Sequence, residues 1–138
     1  MIRRIILDTN FLLIPAQFKV DIFSEIQRIA DFKYKLYMLD KTVDELKSII
    51  ENQKGKSREA AKLALQMAKA FNVAEIKTGK GYTDSILVEE SKEPGTIIAT
   101  QDAELRRSLK NVIFLRQRHY LALKEGKKCF TEQKSKTM

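Results

Sequence analysis

Five short apolar runs, each separated from the next by sequence of helical period, constrain this chain more than any other feature. They are Ile5-Ile6-Leu7, Leu36-Tyr37-Met38-Leu39, residues 73–76, residues 96–100 and Val112-Ile113-Phe114-Leu115. Each is too short for a buried helix and continuous enough for a strand covered on both faces. Between them, residues 19–31 place Val20, Ile22, Phe23, Ile26 and Ile29 at helical spacing. Thr42-Val43-Asp44-Glu45 has the form of a capping box opening a helix through Ile50. Ser57 is a candidate N-cap for a helix ending near Asn72, and further helices start at Asp84 and Asp102. Strand and helix alternating in this way predict a three-layer α/β/α sandwich. Its five-stranded sheet is mainly parallel, with right-handed crossovers. A chain of 138 residues fits one such domain, expected over residues 1–124, with a basic, flexible tail over 125–138.

Four acids fall at the ends of these strands, where open parallel sheets build their sites. Asp8 directly follows the first strand, and Glu45 lies one helical turn past the second. Asp84 opens the helix after the third, and Asp102 lies two residues past Thr100 at the end of the fourth. Each also has an ordinary structural role open to it. Asp8 can organise a turn, Glu45 can partner Thr42 in the capping box, and Asp84 and Asp102 can be N-caps. Gathered in one cleft, the four would repel one another and raise some of their pKa values unless a cation were bound. Oxygen-only ligands favour Mg²⁺ or Mn²⁺. One or two such ions can drive in-line phosphodiester hydrolysis. The chain offers little else: one histidine, His119, and one cysteine, Cys129, exclude an internal disulfide, a cysteine-based zinc site and a histidine cluster.

The charge points to a polyanion. The net charge is +8, and all of it lies in residues 106–138, which hold ten Lys or Arg and two Glu. Arg106, Arg107, Lys110, Arg116, Arg118, Lys124, Lys127 and Lys128 are its dense part, and Lys54, Lys56, Arg58 and Lys62 form a smaller group. One-sided positive charge is the electrostatic footprint of a nucleic-acid binder, although a solubilising tail would look the same. His119 reads as a surface or RNA-facing residue. Tyr120 is a candidate for base stacking or for covering the sheet edge. No apolar run is long enough for a membrane span, and the N-terminal run is too short for a signal-peptide core, so a cytoplasmic protein is expected.

At these residues the chain resembles the PIN-domain family of metal-dependent ribonucleases, over roughly residues 3–118. The strand ending in Asp8-Thr9-Asn10 is similar to the family's opening motif. Val43-Asp44-Glu45-Leu46 is similar to its second, and Thr83-Asp84-Ser85-Ile86-Leu87 to its third. Thr100-Gln101-Asp102 is similar to the Thr-x-Asp element after the fourth strand. The resemblance implies that Asp8, Glu45, Asp84 and Asp102 ligate the metal and carry catalysis, with Asn10 and Thr100 as polar supports. Within the family, residues 100–107 and 112–120 look closest to the endonucleases of small-subunit ribosome assembly and their archaeal relatives. The other branch in view is the VapC-type toxin half of toxin–antitoxin pairs. The lone Cys129 excludes a third branch, which carries a cysteine-ligated zinc module.

The expected function is a Mg²⁺- or Mn²⁺-dependent endoribonuclease, with ribosomal RNA maturation as its setting. Lys54, Lys56, Arg58, Arg106, Arg107, Arg116 and Arg118 are expected to hold the RNA backbone. The alternatives are the VapC-type toxin and an RNA-binding assembly factor that does not cut. RNA is the expected partner, with a homodimer, an antitoxin or a ribosome-assembly protein as further possibilities implied by kinship. A haloacid-dehalogenase-type phosphatase would want a second Asp at position 10, which is Asn. A response-regulator receiver would want an acid pair near the first strand and a Lys after the fifth, and Arg116 stands there instead.

Overall fold

The apolar runs form strands, as their residue types dictate. The computed structural model describes residues 1–126, with strands β1 (Arg3–Leu7), β2 (Tyr34–Leu39), β3 (Ala74–Ile76), β4 (Thr96–Ala99), β5 (Asn111–Arg116) and β6 (Tyr120–Glu125). The helices are α1 (Thr9–Leu12), α2 (Ile14–Phe18), α3 (Ile22–Ile29), α4 (Asp40–Asn52), α5 (Lys56–Ala70), α6 (Thr83–Ser91) and α7 (Ala103–Arg107). β4 is buried along its whole length. Successive strand residues point to opposite faces, so the central strands feed two cores. Ile5, Leu7, Ile97, Ala99 and Ile113 pack under α1 to α5, against Phe11, Ile14, Ile22, Leu46, Ala61 and Ala64 among others. Ile6, Ile98 and Val112 pack on the other side against Leu87 and Leu105, from α6 and α7, and Leu109. Helices on both faces make the three-layer sandwich.

The sheet order is β3-β2-β1-β4-β5-β6, and every neighbouring pair is parallel except β5 with β6. The chain moves outward from β1 to β2 and β3, then returns to the other side of β1 with β4. The switch in direction therefore lies between β1 and β4, the place where a doubly wound sheet opens a crevice at its carboxyl edge. Register fixes what meets there. Leu7 pairs with Ala99, so the residues just beyond them, Asp8 and Thr100, are brought side by side. The ladder continues past the strand ends, with Asp8 N–H donating to Ala99 O (2.9 Å) and Thr100 N–H to Ile113 O (3.0 Å).

The sheet has six strands rather than five. β6 returns antiparallel to β5 through a turn at residues 117–119, and Leu121 and Leu123 pack on the first core. The segment after Asp8 is not a simple turn but two short helices, with Pro15 in the first turn of α2, where its missing N–H costs nothing. The caps differ as well. α4 starts at Asp40 with no side-chain cap, so Thr42 and Glu45 form no capping box. α5 starts from Gly55 rather than Ser57. Of the expected tail 125–138, Glu125 closes β6, and residues 127–138 lie outside the described residues. No helix among the described residues is long and apolar enough to cross a membrane.

One cap lends itself to measurement. Asp21 accepts hydrogen bonds from Phe23 N, Ser24 N and the Ser24 hydroxyl at the start of α3. The Ser24 hydrogen bonds hold its carboxyl below the usual carboxylate range. Its contribution is therefore present above the ordinary Asp pKa and lost as pH falls through the lowered value. Asp21→Ala should destabilise the protein by about 1 kcal/mol at neutral pH. In urea titrations the gap to wild type should close in acid.

Candidate active site

The site begins with Asp8, which is 7% exposed at the end of β1. Its Oδ1 accepts from Thr9 N (2.8 Å), capping α1, and its Oδ2 accepts from the Thr100 hydroxyl (2.8 Å). Thr100, fully buried, uses the same oxygen to accept from Asp102 N (3.1 Å). Asp102 in turn caps α7, its Oδ1 accepting from Glu104 N and Leu105 N. Asn10 Oδ1 accepts from Gln101 N (3.1 Å), and Gln101 Oε1 accepts from Leu115 N (3.1 Å). The ends of β1, β4 and β5 are thus laced together by side chains of the Asp-Thr-Asn and Thr-Gln-Asp segments. Asn10 and Thr100 both lie in this lacing.

Glu45 reaches the same place from α4. It is exposed, and its Oε1 accepts from the Thr9 hydroxyl (2.8 Å), which also lies 3.1 Å from the hydroxyl of buried Thr42. Thr9 and Gln101 are residues here to which the sequence assigned no role. Their signal was their place inside the motifs, Thr9 between Asp8 and Asn10 and Gln101 between Thr100 and Asp102. Asp84 sits in the first turn of α6 but caps nothing, because the N-cap is Tyr82, which makes no side-chain cap. The N-cap explanation for Asp84 therefore fails, while Asp102 does cap its helix.

The electrostatics centre on Asp8. Burial pushes its carboxyl above the usual range. The Thr100 and Thr9 hydrogen bonds pull it back down, and the carboxylates of Glu45 and Asp84 push it up again. Among the described residues none of the four acids forms an ion pair with Lys or Arg. Asp84 and Asp102 line an open cleft of about 450 Å³ together with Ser85, Val88, Glu104, Leu105 and Ser108. The acids are linked through Asp8: it feels the charges of Glu45 and Asp84, and Asp102 is tied to it through the Thr100 hydroxyl and shares the cleft with Asp84. Among the described residues no three carboxylate, His or Cys side chains already close on one point.

The basic residues divide. Arg116 and Arg118 lie on and beyond the end of β5, on the same carboxyl edge as Asp8, and both are exposed. Arg118 stands over Phe18, 6.0 Å from its ring centre. Arg107 is exposed on α7, but Arg106 packs its guanidinium on Phe114 at 4.3 Å and buries Nε without an acceptor. Lys54, Lys56 and Arg58 are exposed around the start of α5. Lys56 lines a groove with Pro15, Gln17, Lys19 and Glu59, which none of the four acids lines.

A doubly wound sheet with carboxylates along the edge at its switch point defines the architectural class, an open α/β protein whose sites lie at that edge. Residues 5–118 match the family model described as PIN like domain, and the chain belongs to that family. Ribonuclease VapC9 of Archaeoglobus fulgidus is 30% identical over 132 residues, covering 95% of this chain and 90% of its own. Ribonuclease VapC4 of Methanocaldococcus jannaschii is 28% identical over 125 residues, covering 87% of this chain and 95% of its own. The structure of the PIN domain endonuclease Utp24 superposes with a TM-score of 0.69, covering 87% of this chain and 90% of that one. Its sequence identity is 20%, so that likeness speaks to the fold.

Proposed function

We propose that this chain is a Mg²⁺- or Mn²⁺-dependent endoribonuclease. The observation that carries the reading is Asp8: buried, raised in pKa, faced by Glu45 and Asp84, and, among the described residues, with no Lys or Arg ion-paired to the group. All the donors are oxygens, which fits a hard divalent ion. Asp8, Glu45, Asp84 and Asp102 would hold one or two ions, with Asn10 and Thr100 in support. When bound, such an ion supplies Lewis-acid activation of water and neutralises charge on the phosphate. The chain's own residues do the positioning. Thr100 fixes the Asp8 carboxylate, Thr9 restrains Glu45, and Asn10 holds the 100–102 turn against α1. Arg116 and Arg118, exposed on the same edge, and exposed Arg107 would take the RNA backbone. Lys54, Lys56 and Arg58 would extend that path, and Arg106 would act through its stacking on Phe114.

The names of the two archaeal relatives support ribonuclease chemistry and favour a second, more particular reading. In it the chain is a VapC-type toxin, silenced by an antitoxin that covers the acidic edge. The ribosomal RNA maturation setting rests on residues 100–120 and on kinship with assembly endonucleases, and a non-cutting assembly factor is the remaining form of it. A homodimer and a cytoplasmic site of action go with all three. A small antitoxin-like reading frame beside the gene would select the toxin.

Metal removal tests the chemistry itself. The purified protein should cleave a single-stranded RNA in Mn²⁺ and stop in excess chelator, with activity restored by returning the ion. Cleavage that persists in chelator would sink the metal-dependent reading.

A further inference from the structure

The most exposed aromatic side chain among the described residues is Tyr82, at 85%. Its ring makes no aromatic or cation–π contact there, and its hydroxyl no hydrogen bond. Phe71, also exposed, differs in being stacked on Phe23 at 4.1 Å. Isolated exposed aromatics are common and by themselves mean little. The place of this one is what matters. Tyr82 is the N-cap of α6, two residues before Asp84 and three before Ser85, both of which line the acidic cleft. Tyr82 is extended, at φ −81° and ψ 146°, and it directly precedes the first helical turn, which carries Asp84 and Ser85 into the cleft wall.

The loop leading to it is built to present it. Its base is pinned where Asp40, the first residue of α4, accepts from Thr78 N (3.1 Å) and the Thr78 hydroxyl (2.6 Å). Beyond that point Gly79 and Gly81 flank Lys80, and Gly81 takes a φ of 132°, open to glycine but strained for other residues. Lys80 is exposed and makes no ion pair among the described residues. Glu104, which lines the cleft but is not among the acids proposed to hold the ion, repels a phosphate that strays along this wall. A base presents a neutral face, and an aromatic ring can hold that face without regard to sequence.

We propose that Tyr82 is a positioning residue that stacks on one base of single-stranded RNA beside Asp84, with Lys80 taking an adjacent phosphate. This rests on the ribonuclease reading above. The chain has no tryptophan, so Tyr82→Trp introduces a lone reporter at the position in question. In the Asp8→Asn background, which should bind without cutting, a ten-residue oligo(A) should quench its emission. The same oligomer made abasic should not. In otherwise wild-type protein, Tyr82→Ala should raise KM for the oligomer by about 5- to 150-fold, the equivalent of ~1–3 kcal/mol per stacked base, with kcat little changed. Tyr82→Phe should restore it. If wild type cleaves while Tyr82→Ala keeps its KM and the tryptophan is not quenched, the inference falls, the ribonuclease reading stands, and Tyr82 is left for a protein contact. Equal quenching by the abasic oligomer also overturns it. If wild type neither cleaves nor binds the oligomer, the ribonuclease reading fails and takes this with it.

Discussion

Asp8→Asn should lower RNA cleavage in Mn²⁺ by at least about a hundredfold while leaving the protein folded. Losing a group that only orients a metal ligand already costs ~10–100-fold, and Asp8 is proposed as a ligand itself. Asn can keep the bond from Thr9 N to Oδ1, so the cap of α1 survives. What is lost is the charge and, where Oδ2 becomes an amide nitrogen, the acceptor for the Thr100 hydroxyl. The same change gives a readout independent of activity. An ion that binds only the folded state raises the melting temperature, so Mn²⁺ should raise it in wild type and much less in the variant. The metal-free proteins should differ in pH dependence as well. Asp8 is raised in pKa by burial, so its contribution to stability is full below the ordinary Asp pKa and is lost as pH rises through the raised value. Wild type should therefore lose stability across that window, and Asp8→Asn should not. Equal cleavage by the two proteins would point to a contaminating nuclease. An equal Mn²⁺-induced rise in melting temperature would mean that the ion binds elsewhere.

The parallel core was legible because strand and helix periods alternate cleanly and because β1 and β4 are buried on both faces, which only continuous apolar runs allow. β6 was not. Its turn puts Gln117 and Arg118 at φ 51° and 61°, a conformation usually signalled by Gly, Asn or Asp, and neither residue is one of those. α1 and α2 were hidden for a related reason. They are four and five residues long, too short to show a period, and the chain leaves α2 through Lys19 at φ 60°. The misread caps are tertiary overrides. Thr42 looked free to cap α4, but it is buried and spends its hydroxyl near Thr9.

The acids were legible from their position after strands, but their partners were not. Nothing in residues 42–45 announces that Glu45 would meet the Thr9 hydroxyl from another element. Register decides such encounters, and register is a property of the assembled sheet. The basic residues show the limit from the other side. Arg106 and Arg107 are equivalent as sequence, yet one is packed on Phe114 and the other faces solvent. Charge composition locates a region of positive potential. It does not say which guanidinium groups remain free to meet a phosphate.

Thr100 offers the sharpest test of how the site is organised, because one oxygen atom serves two of the four acids. Its hydroxyl donates to Asp8 Oδ2 and accepts from Asp102 N. Thr100→Val keeps the shape and the β-branched preference of a buried strand end but removes both bonds. Asp8 then keeps its burial and its neighbouring carboxylates while losing the largest influence that lowers its pKa. A proton should compete better for the carboxylate, and the ion should bind more weakly. The concentration of Mn²⁺ giving half-maximal cleavage should rise by about 10–100-fold, the range measured for groups that orient metal ligands. The defect should deepen as pH falls and shrink as it rises, because protons and metal contend for the same oxygens. Stability should drop by roughly 1–3 kcal/mol, since Asp102 N–H and the Asp8 carboxylate are left short of a partner. Thr100→Ser, which keeps the hydroxyl, should recover most of the Mn²⁺ affinity even where it does not recover all the stability. A mere packing role would predict the reverse, with Val tolerated and Ser, which lacks the methyl group, impaired. If Thr100→Val needs no more Mn²⁺ than wild type at any pH, then the Thr100 hydroxyl does not organise Asp8 for metal binding.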